Sequence, residues 1–407
     1  MRIFVSAGEP SGDLHAANLI QSLRKRIPDA EFVGFGGERM EQAGASLLFP
    51  LVTLAVMWFG RVLLNIHKFF RLLYVADQSF ATNRPDVVIL IDYPGFHWWL
   101  ARRAKARGIP VVYYVPPQLW AWAGWRVKRM RRFVDHVLCS LPFEPAWYHA
   151  RGVPGAVHVG HPYFDELTER HLDENFLREQ QAQATPLLAI LPGSRTQELI
   201  RNLPVMIRAA QKLAATRSDV RFAIASLHER HQTLARQILE RDAPGFPVEI
   251  HAGKTPELIR AARLAWAVSG SVGLELMMEA LPTVVLYKIR SIDLMIARPF
   301  IKAKYISLVN LLADAEVMPE YLTAVDVSTE MAEWAGSLLA EPSKREHSSA
   351  VLAALRDRVA QPGASERAAD RIVQVLRQEP NSVDPASTSP VRGTHPSRRV
   401  HRGHASK

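Results

Sequence analysis

Short unbroken apolar runs alternate along this chain with longer stretches whose apolar residues recur at helical spacing. The runs at residues 1–7, 86–91, 111–115 and 134–138 each end near a Gly, Pro or Asp and lead into a helical stretch. Strand, turn and helix repeated in that order predict a parallel sheet covered by helices, because a strand buried on both faces reads as a continuous apolar run. After the charged segment 165–181 the pattern restarts with runs at 187–191, 221–226, 265–269 and 283–287. The expected fold class is therefore α/β, with two Rossmann-like, doubly wound domains, residues 1–165 and 185–340, facing across a cleft. Ligands of such sheets sit beyond the carboxyl ends of the strands, so the loops leaving these runs are where chemistry is expected.

One helical stretch lacks a broad polar face. Val56, Met57, Trp58, Phe59, Val62, Leu63, Ile66, Phe69, Phe70 and Leu73 leave only Arg61, Asn65 and Lys68 as a polar stripe. A helix so apolar is either buried or lies in a membrane interface. It is not the end of a membrane span. The uncharged run 42–60 is interrupted by Gly44, Ser46, Pro50 and Thr53 and falls short of the ~20 apolar residues a crossing needs.

Composition narrows the setting. With 407 residues, 48% of them hydrophobic, the chain can bury two cores. The single cysteine, Cys139, forms no internal disulfide, and the opening apolar run is too short for a signal-peptide core. Both point to the cytosol or the cytosolic face of a membrane. A net charge of +10 would suggest nucleic acid if it covered a folded face. Part of it lies instead in residues 378–407, a disordered basic tail rich in Pro, Ser and His, with five Lys/Arg against two acids. Another part lies inside the folded region, where Arg126, Lys128, Arg129, Arg131 and Arg132 follow Trp120, Trp122 and Trp125. Interleaved rings and cations stack bases, hold lipid phosphates or form the wet side of a surface helix, and the residues alone leave all three open.

The sharper chemistry lies in the second half. The run 187–191 is followed by Pro192-Gly193-Ser194-Arg195-Thr196-Gln197-Glu198 and a helical pattern through Leu203, Ile207 and Ala210. Gly193 lets a ligand approach the backbone, Ser194 with Gln197 fits a capping box, and the free amides of a helix start favour an anion. Arg195 adds a planar fork suited to a diphosphate. Alone, such a turn is equally a capped helix. A second turn, Ser269-Gly270-Ser271-Val272-Gly273-Leu274-Glu275, also follows a run and opens a helix. Its Glu275 is placed to accept a ribose diol, or simply to complement the helix dipole.

In the first half, Gly8-Glu9-Pro10-Ser11-Gly12-Asp13 leaves the first run and Asp92-Tyr93-Pro94-Gly95-Phe96 leaves the second. The apolar neighbours of Asp92 would desolvate it and raise its pKa, which suits a general base, while an Asp before a turn is equally a turn cap. No Asp-x-Asp motif offers a carboxylate pair to a divalent cation. The pairs His158/His161 and His228/His231 lack a third ligand and read as structural, so neither metal nor cofactor is expected.

These turns occur in one order with Val115-Pro116-Pro117-Gln118-Leu119-Trp120-Ala121-Trp122, Leu141-Pro142-Phe143-Glu144, Gly160-His161-Pro162 and Tyr305-Ile306-Ser307-Leu308-Val309-Asn310-Leu311-Leu312. The series resembles the lipid-A-disaccharide synthases from residue 1 to about residue 375. The resemblance implies an inverting, metal-independent GT-B glycosyltransferase. Such an enzyme joins UDP-2,3-diacylglucosamine to the 6-hydroxyl of 2,3-diacylglucosamine 1-phosphate and releases UDP. It implies Asp92 as the candidate base and Glu9 and Ser11 as further catalytic positions. Gly193, Ser194, Arg195, Ser269, Gly270, Ser271, Glu275 and Asn310 fall on the substrate and UDP side. A homodimer is implied too, with last helices, about 345–376, that return to the N-terminal domain.

Diacyl sugars would hold such an enzyme at a bilayer, since each buried CH₂ is worth about 0.8 kcal/mol. On that reading Trp58, Phe59, Phe69 and Phe70 shield acyl chains, while Arg126, Lys128 and Arg129 face anionic lipid on the cytosolic side of the inner membrane or the acceptor's 1-phosphate. No nucleic acid is then expected. The sequence departs from the family's pattern at Gly95 and His97, at Trp58 and Arg61, and at Val309. Two rival readings share part of this ground. One is another GT-B enzyme or an epimerase acting on a UDP-N-acetylglucosamine-type donor, the other a non-catalytic membrane-associated binding protein.

Overall fold

Strands that bury both faces need helices above and below them, and the chain supplies this arrangement twice. A computed structural model describes residues 1–52, 66–121, 123–297 and 303–378. The first sheet comprises β1 (Arg2–Ala7), β2 (Glu31–Phe35), β3 (Ser46–Phe49), β4 (Val87–Ile91), β5 (Val111–Tyr114), β6 (His136–Cys139) and β7 (Ala156–His158), in the order β3-β2-β1-β4-β5-β6-β7. The second comprises β8 (Leu187–Leu191), β9 (Arg221–Ser226), β10 (Glu249–Ala252), β11 (Leu264–Val268), β12 (Thr283–Lys288) and β13 (Glu320–Thr323), in the order β10-β9-β8-β11-β12-β13. Every strand pair is parallel.

In each sheet the winding reverses beside the first strand, since β1 pairs with both β2 and β4, and β8 with both β9 and β11. The connections leaving those neighbours depart to opposite faces and open a crevice at the carboxyl ends. Alternation along each strand feeds two cores. Phe4 of β1 and Val88 and Leu90 of β4 face one layer, while Ile3, Val5, Val87 and Ile89 face the other. In β8, Leu188 and Ile190 oppose Leu187, Ala189 and Leu191 in the same way.

All eight apolar runs are strands. The five remaining strands were not anticipated, and four of them, β3, β7, β10 and β13, are sheet edges. Edge strands are covered on fewer sides and carry shorter or mixed sequences such as Glu-Ile-His-Ala in β10. The fifth, β2, is broken by Gly34, where a Cβ would fall 1.8 Å from the Val5 carbonyl oxygen.

The apolar helix is described only from Ile66 to Thr82. Leu72, Leu73, Ala76 and Phe80 enter the first core, Phe69 is half-buried against Phe96, and Phe70 stays 58% exposed. Trp58, Phe59 and Arg61 lie outside the described residues, as does the tail from residue 379. Among the described residues no helix is long and apolar enough to cross a membrane.

The chain ends by returning. Helix Pro342–Val359 packs Leu352 and Leu355 beneath the second sheet. Helix Ala364–Gln378 crosses back to lay Ala368, Ala369, Ile372 and Val373 against Ala16, Leu19, Ile20 and Leu23 of helix Pro10–Arg26. The crossing is fixed by Asp165, which accepts hydrogen bonds from the backbone amides of Gly363 (2.6 Å), Ala364 (3.1 Å) and Ser365 (2.9 Å). Arg26 then pairs with Asp370 and Glu366, and Lys25 with Glu366.

Asp165→Ala strips the acceptor from three amides and should cost about 1–2 kcal/mol in a denaturant titration. Hydrogen bonds from Lys25 and Arg26 hold the Glu366 carboxyl down at about 2, against an ordinary 4.5. Its contribution is therefore full above pH 4.5 and lost as pH falls through about 2. Wild type and Glu366→Gln should differ in stability at neutral pH and converge near the acid end of that window.

Candidate active site

The parallel register brings the first two expected turns together. Ala7 at the end of β1 lies opposite Ile91 at the end of β4, so Gly8-Glu9 and Asp92-Tyr93 leave side by side. Asp92 and Tyr93 both adopt left-handed backbone conformations, with φ of 53° and 49°. Asp tolerates that region, but a Tyr there stores roughly 1–2 kcal/mol of strain. Packing offsets it. The Tyr93 ring lies over Gly8, where a Cβ would fall 2.3 Å from it, and the Tyr113 hydroxyl donates to the Asp92 carbonyl at 2.6 Å.

Burial raises the Asp92 carboxyl to about 6, helped by the nearby Glu9 carboxylate and opposed by the Tyr93 amide and the Arg195 guanidinium. Glu9 caps helix Pro10–Arg26 by position only, since its side chain makes no cap bond. Ser11 is exposed in the first turn. Asp13 is structural: its carboxylate accepts from the amides of Gly37, Arg39 and Met40 at the start of helix Glu38–Gln42.

In the second sheet, helix Thr196–Thr216 begins one residue later than a Ser194–Gln197 capping box requires. Glu198 takes the capping role instead. Its Oε2 accepts from the amides of Ser194 (3.1 Å) and Arg195 (3.2 Å), and its Oε1 accepts from Arg195 Nη1 (2.9 Å). Gly193, at φ 119°, leaves room for this carboxylate. The turn therefore presents converging amides and a guanidinium around a negatively charged group.

Beside it opens a cavity of about 440 Å³, within the size range of small-molecule sites. Gly193, Ser194, Arg195, Ser269, Gly270, Ser271 and Glu275 all line it, at the carboxyl ends of β8 and β11. Leu227 and Gly253 from the loops after β9 and β10, Thr255 and Pro256 at the start of helix Thr255–Ala261, and Tyr163, Glu166, Arg170 and Glu198 line it too. Glu275 is buried, with Oε1 accepting from Arg170 Nη1 at 2.5 Å and Oε2 from the Tyr163 hydroxyl at 3.1 Å.

The family model for lipid-A-disaccharide synthetase matches residues 3–373 of this chain. Two similar relatives are the lipid-A-disaccharide synthases of Myxococcus xanthus and Syntrophus aciditrophicus, 37% and 35% identical. Each match covers 92% of this chain, and 97% and 98% of the respective relative. The chain belongs to the lipid-A-disaccharide synthase family.

Solved structures share the fold alone. An S. aureus MnaA–UDP structure matches with a TM-score of 0.65 at 12% identity, covering 92% of this chain and 97% of that one. Acinetobacter baumannii MurG matches with a TM-score of 0.55 at 13% identity, covering 92% and 99%. The two Rossmann-like sheets thus form a GT-B fold. Family membership makes the chain a hexosyltransferase of lipid A biosynthesis that transfers 2,3-diacylglucosamine from its UDP donor to 2,3-diacylglucosamine 1-phosphate.

Other positions expected to matter in a lipid-A-disaccharide synthase divide in the structure. Asn310 is not among the residues that line this cavity. It is fully buried, its Nδ2 donates to the Met318 carbonyl and Glu320, and its Oδ1 accepts from the amides of Val317 and Met318. That exhausts the capacity of a side-chain amide. His97, one of the departures from the family's pattern, is fully buried. The Arg126 and Arg129 guanidiniums lie 5.2 and 5.9 Å from the Trp125 ring, which is 63% exposed, and Lys128 lies in the following helix Val127–Phe133.

Glu144, of the Leu-Pro-Phe-Glu motif, is fully buried, and burial pushes its carboxyl up to about 7. It accepts from Trp120 Nε1 and the Leu141 amide, fixing the tryptophan loop. Among the described residues no group of three or more His, Cys, Asp or Glu is placed to hold a metal ion. Tyr163 and Arg170 are the site residues that sequence reasoning missed. Tyr163 directly follows Gly160-His161-Pro162, and Arg170 lies in the charged segment read only as a joint.

Gly193→Ala would place a Cβ 2.5 Å from the Glu198 Cβ at a left-handed φ. Displacing Glu198 should disorder the turn and weaken UDP binding about tenfold by calorimetry. Unchanged affinity would separate the turn from the nucleotide.

Proposed function

We propose that the chain carries out the lipid-A-disaccharide synthase reaction in the cleft between its sheets, with Asp92 as general base and the turn Pro192-Gly193-Ser194-Arg195 holding the departing diphosphate. The observation that carries this reading is that the parallel register sets Gly8-Glu9 beside Asp92-Tyr93 at the carboxyl edge of the first sheet, while Gly193, Ser194 and Arg195 line the cavity at the carboxyl edge of the second. The acceptor's 6-hydroxyl oxygen attacks donor C1 as Asp92 takes its proton. The bond from C1 to the phosphate oxygen breaks, and UDP leaves with the electron pair. Attack opposite the leaving group inverts C1 and gives a β-1,6 linkage. Arg195, whose side chain is 61% exposed, exchanges its pairing with Glu198 for the diphosphate and stabilises the charge that builds there, so no metal is required. Ser269, Gly270 and Ser271 border the UDP, and Glu275, oriented by Tyr163 and Arg170, accepts the ribose hydroxyls through its remaining lone pairs. Glu9 raises the basicity of Asp92, and Ser11 lies beside them on the acceptor rim.

The reading assigns residues 1–165, completed by the helices at about 345–376, to acceptor and membrane, and residues 185–340 to UDP-sugar. Phe70, Tyr74, Trp99 and Trp125 are large, exposed and apolar. They border the helices that carry Phe69 and the Arg126, Lys128 and Arg129 cluster, which supports a surface resting on the cytosolic face of the inner membrane. The homodimer rests on the family resemblance.

Asp92→Asn should fold and lose about 10²- to 10⁴-fold in kcat, measured by mass analysis of product from both diacyl substrates. Wild-type turnover should fall as pH drops through about 6, because the base is then protonated. A folded variant with near-full turnover would remove Asp92 from the role. Reversing the charges of Arg126, Lys128 and Arg129 should weaken binding to anionic vesicles by at least about a hundredfold, at roughly 1 kcal/mol per cation. Binding equal to wild type would place the membrane surface elsewhere.

A further inference from the structure

The strained pair Asp92-Tyr93 has a support that the reaction itself does not reveal. His97 lies one turn into helix Pro94–Ala106, fully buried, with rings of Tyr93, Phe96 and Tyr113 about 6 Å from it by centroid. Its Nδ1 is 2.7 Å from the Asp92 carbonyl oxygen, and its Nε2 is 2.9 Å from the Ser6 hydroxyl on β1. A carbonyl oxygen only accepts, so Nδ1 carries the proton. Burial lowers the imidazole pKa to about 3, so the ring is neutral and Nε2 is the acceptor. Ser6 must then donate. The polar chain therefore runs one way, from the Ser6 hydroxyl through the imidazole to the Asp92 carbonyl, where the Tyr113 hydroxyl adds a second donor at 2.6 Å.

We propose that His97 is a positioning residue for the transfer reaction, holding the Asp92 peptide in its left-handed conformation so that the carboxylate meets the acceptor hydroxyl. Two donors converge on one carbonyl oxygen whose residue would otherwise relax toward the ordinary β or α regions. The imidazole is anchored at its far nitrogen to the strand next to β4, so the loop is registered against the sheet rather than against its own helix. His97 touches no substrate. It acts on where Asp92 points.

The inference rests on the reading of Asp92 as base, and the nature of the contact makes it separable. The Asn side-chain nitrogen stands as many bonds from Cβ as Nδ1 does, whereas the Gln nitrogen reaches only the position of Nε2. His97→Asn should retain the donor to Asp92 and keep kcat within about threefold of wild type, whereas His97→Gln and His97→Leu should lose about 10- to 100-fold in kcat, the scale of a misplaced catalytic group. KM for both substrates should change less than about twofold, since ground-state binding is not touched. Ser6→Ala, a small change in β1, removes the anchor at Nε2 so that the ring is held at one end only, and should lower kcat in the same direction. Melting temperatures of the Asn and Gln variants distinguish loss of fold from loss of position.

Equal turnover by the Asn and Gln variants, or a loss confined to KM, overturns the proposal while leaving Asp92 in place, provided Asp92→Asn is inactive. An active Asp92→Asn instead overturns the base assignment. If both His97 variants fail to fold, the Ser6→Ala kinetics decide, and an unchanged kcat there overturns it.

Discussion

The reversal of winding beside β1 and beside β8 is the constraint on which the rest of the molecule depends. All strands run parallel, so their carboxyl ends share one edge of each sheet, but only at the reversal do two neighbouring loops leave toward opposite faces. Gly8-Glu9 and Asp92-Tyr93 flank that point in the first sheet. Pro192 to Arg195 and Ser269 to Glu275 flank it in the second. Nothing in the loops themselves creates the crevice; they occupy a gap that topology has already opened. Their composition follows from the gap, with small residues where backbones must come close and carboxylates where solvent is thin.

Charge in this gap is arranged so that few groups stand unopposed. Glu275 is buried deeply enough that desolvation raises its pKa, yet Arg170 and Tyr163 pull the other way. Asp92 has weaker opposition, because Glu9 works with burial against its ionisation while Arg195 helps from the other sheet. Two buried carboxylates thus acquire different characters from their neighbours alone. One is held as a fixed acceptor, the other is poised near neutrality.

Much of this was legible in the sequence, for reasons that differ by element. Central strands such as β4 (Val-Val-Ile-Leu-Ile) are buried on both faces and advertise it, whereas β10 and β13 are only half-covered and carry polar residues. The glycine turns were readable because a close backbone approach leaves few residue choices. What could not be read was partnership over long separations. Nothing in the local pattern says that Glu198 rather than Gln197 closes the turn, that Asn310 spends its amide on the segment 317–320, or that His97 reaches back to Ser6. Those depend on packing between elements that spacing does not encode. The family resemblance supplied the reaction, but a motif names a residue without saying what it touches.

Asp165 deserves a mechanical reading. The chain passes between the two sheets after β7, where Val159 packs with Ile3 and Val5 of the first and Phe164 with Leu187 and Ala189 of the second, and passes back between helices Pro342–Val359 and Ala364–Gln378. Because Asp165 binds the amides of Gly363, Ala364 and Ser365, the two passages lie clamped side by side. Two strips fastened together flex about a shared line but resist torsion, since twisting would pull the carboxylate from its donors. A twist of one sheet against the other therefore works against three hydrogen bonds, whereas a flexing that carries both strips together does not.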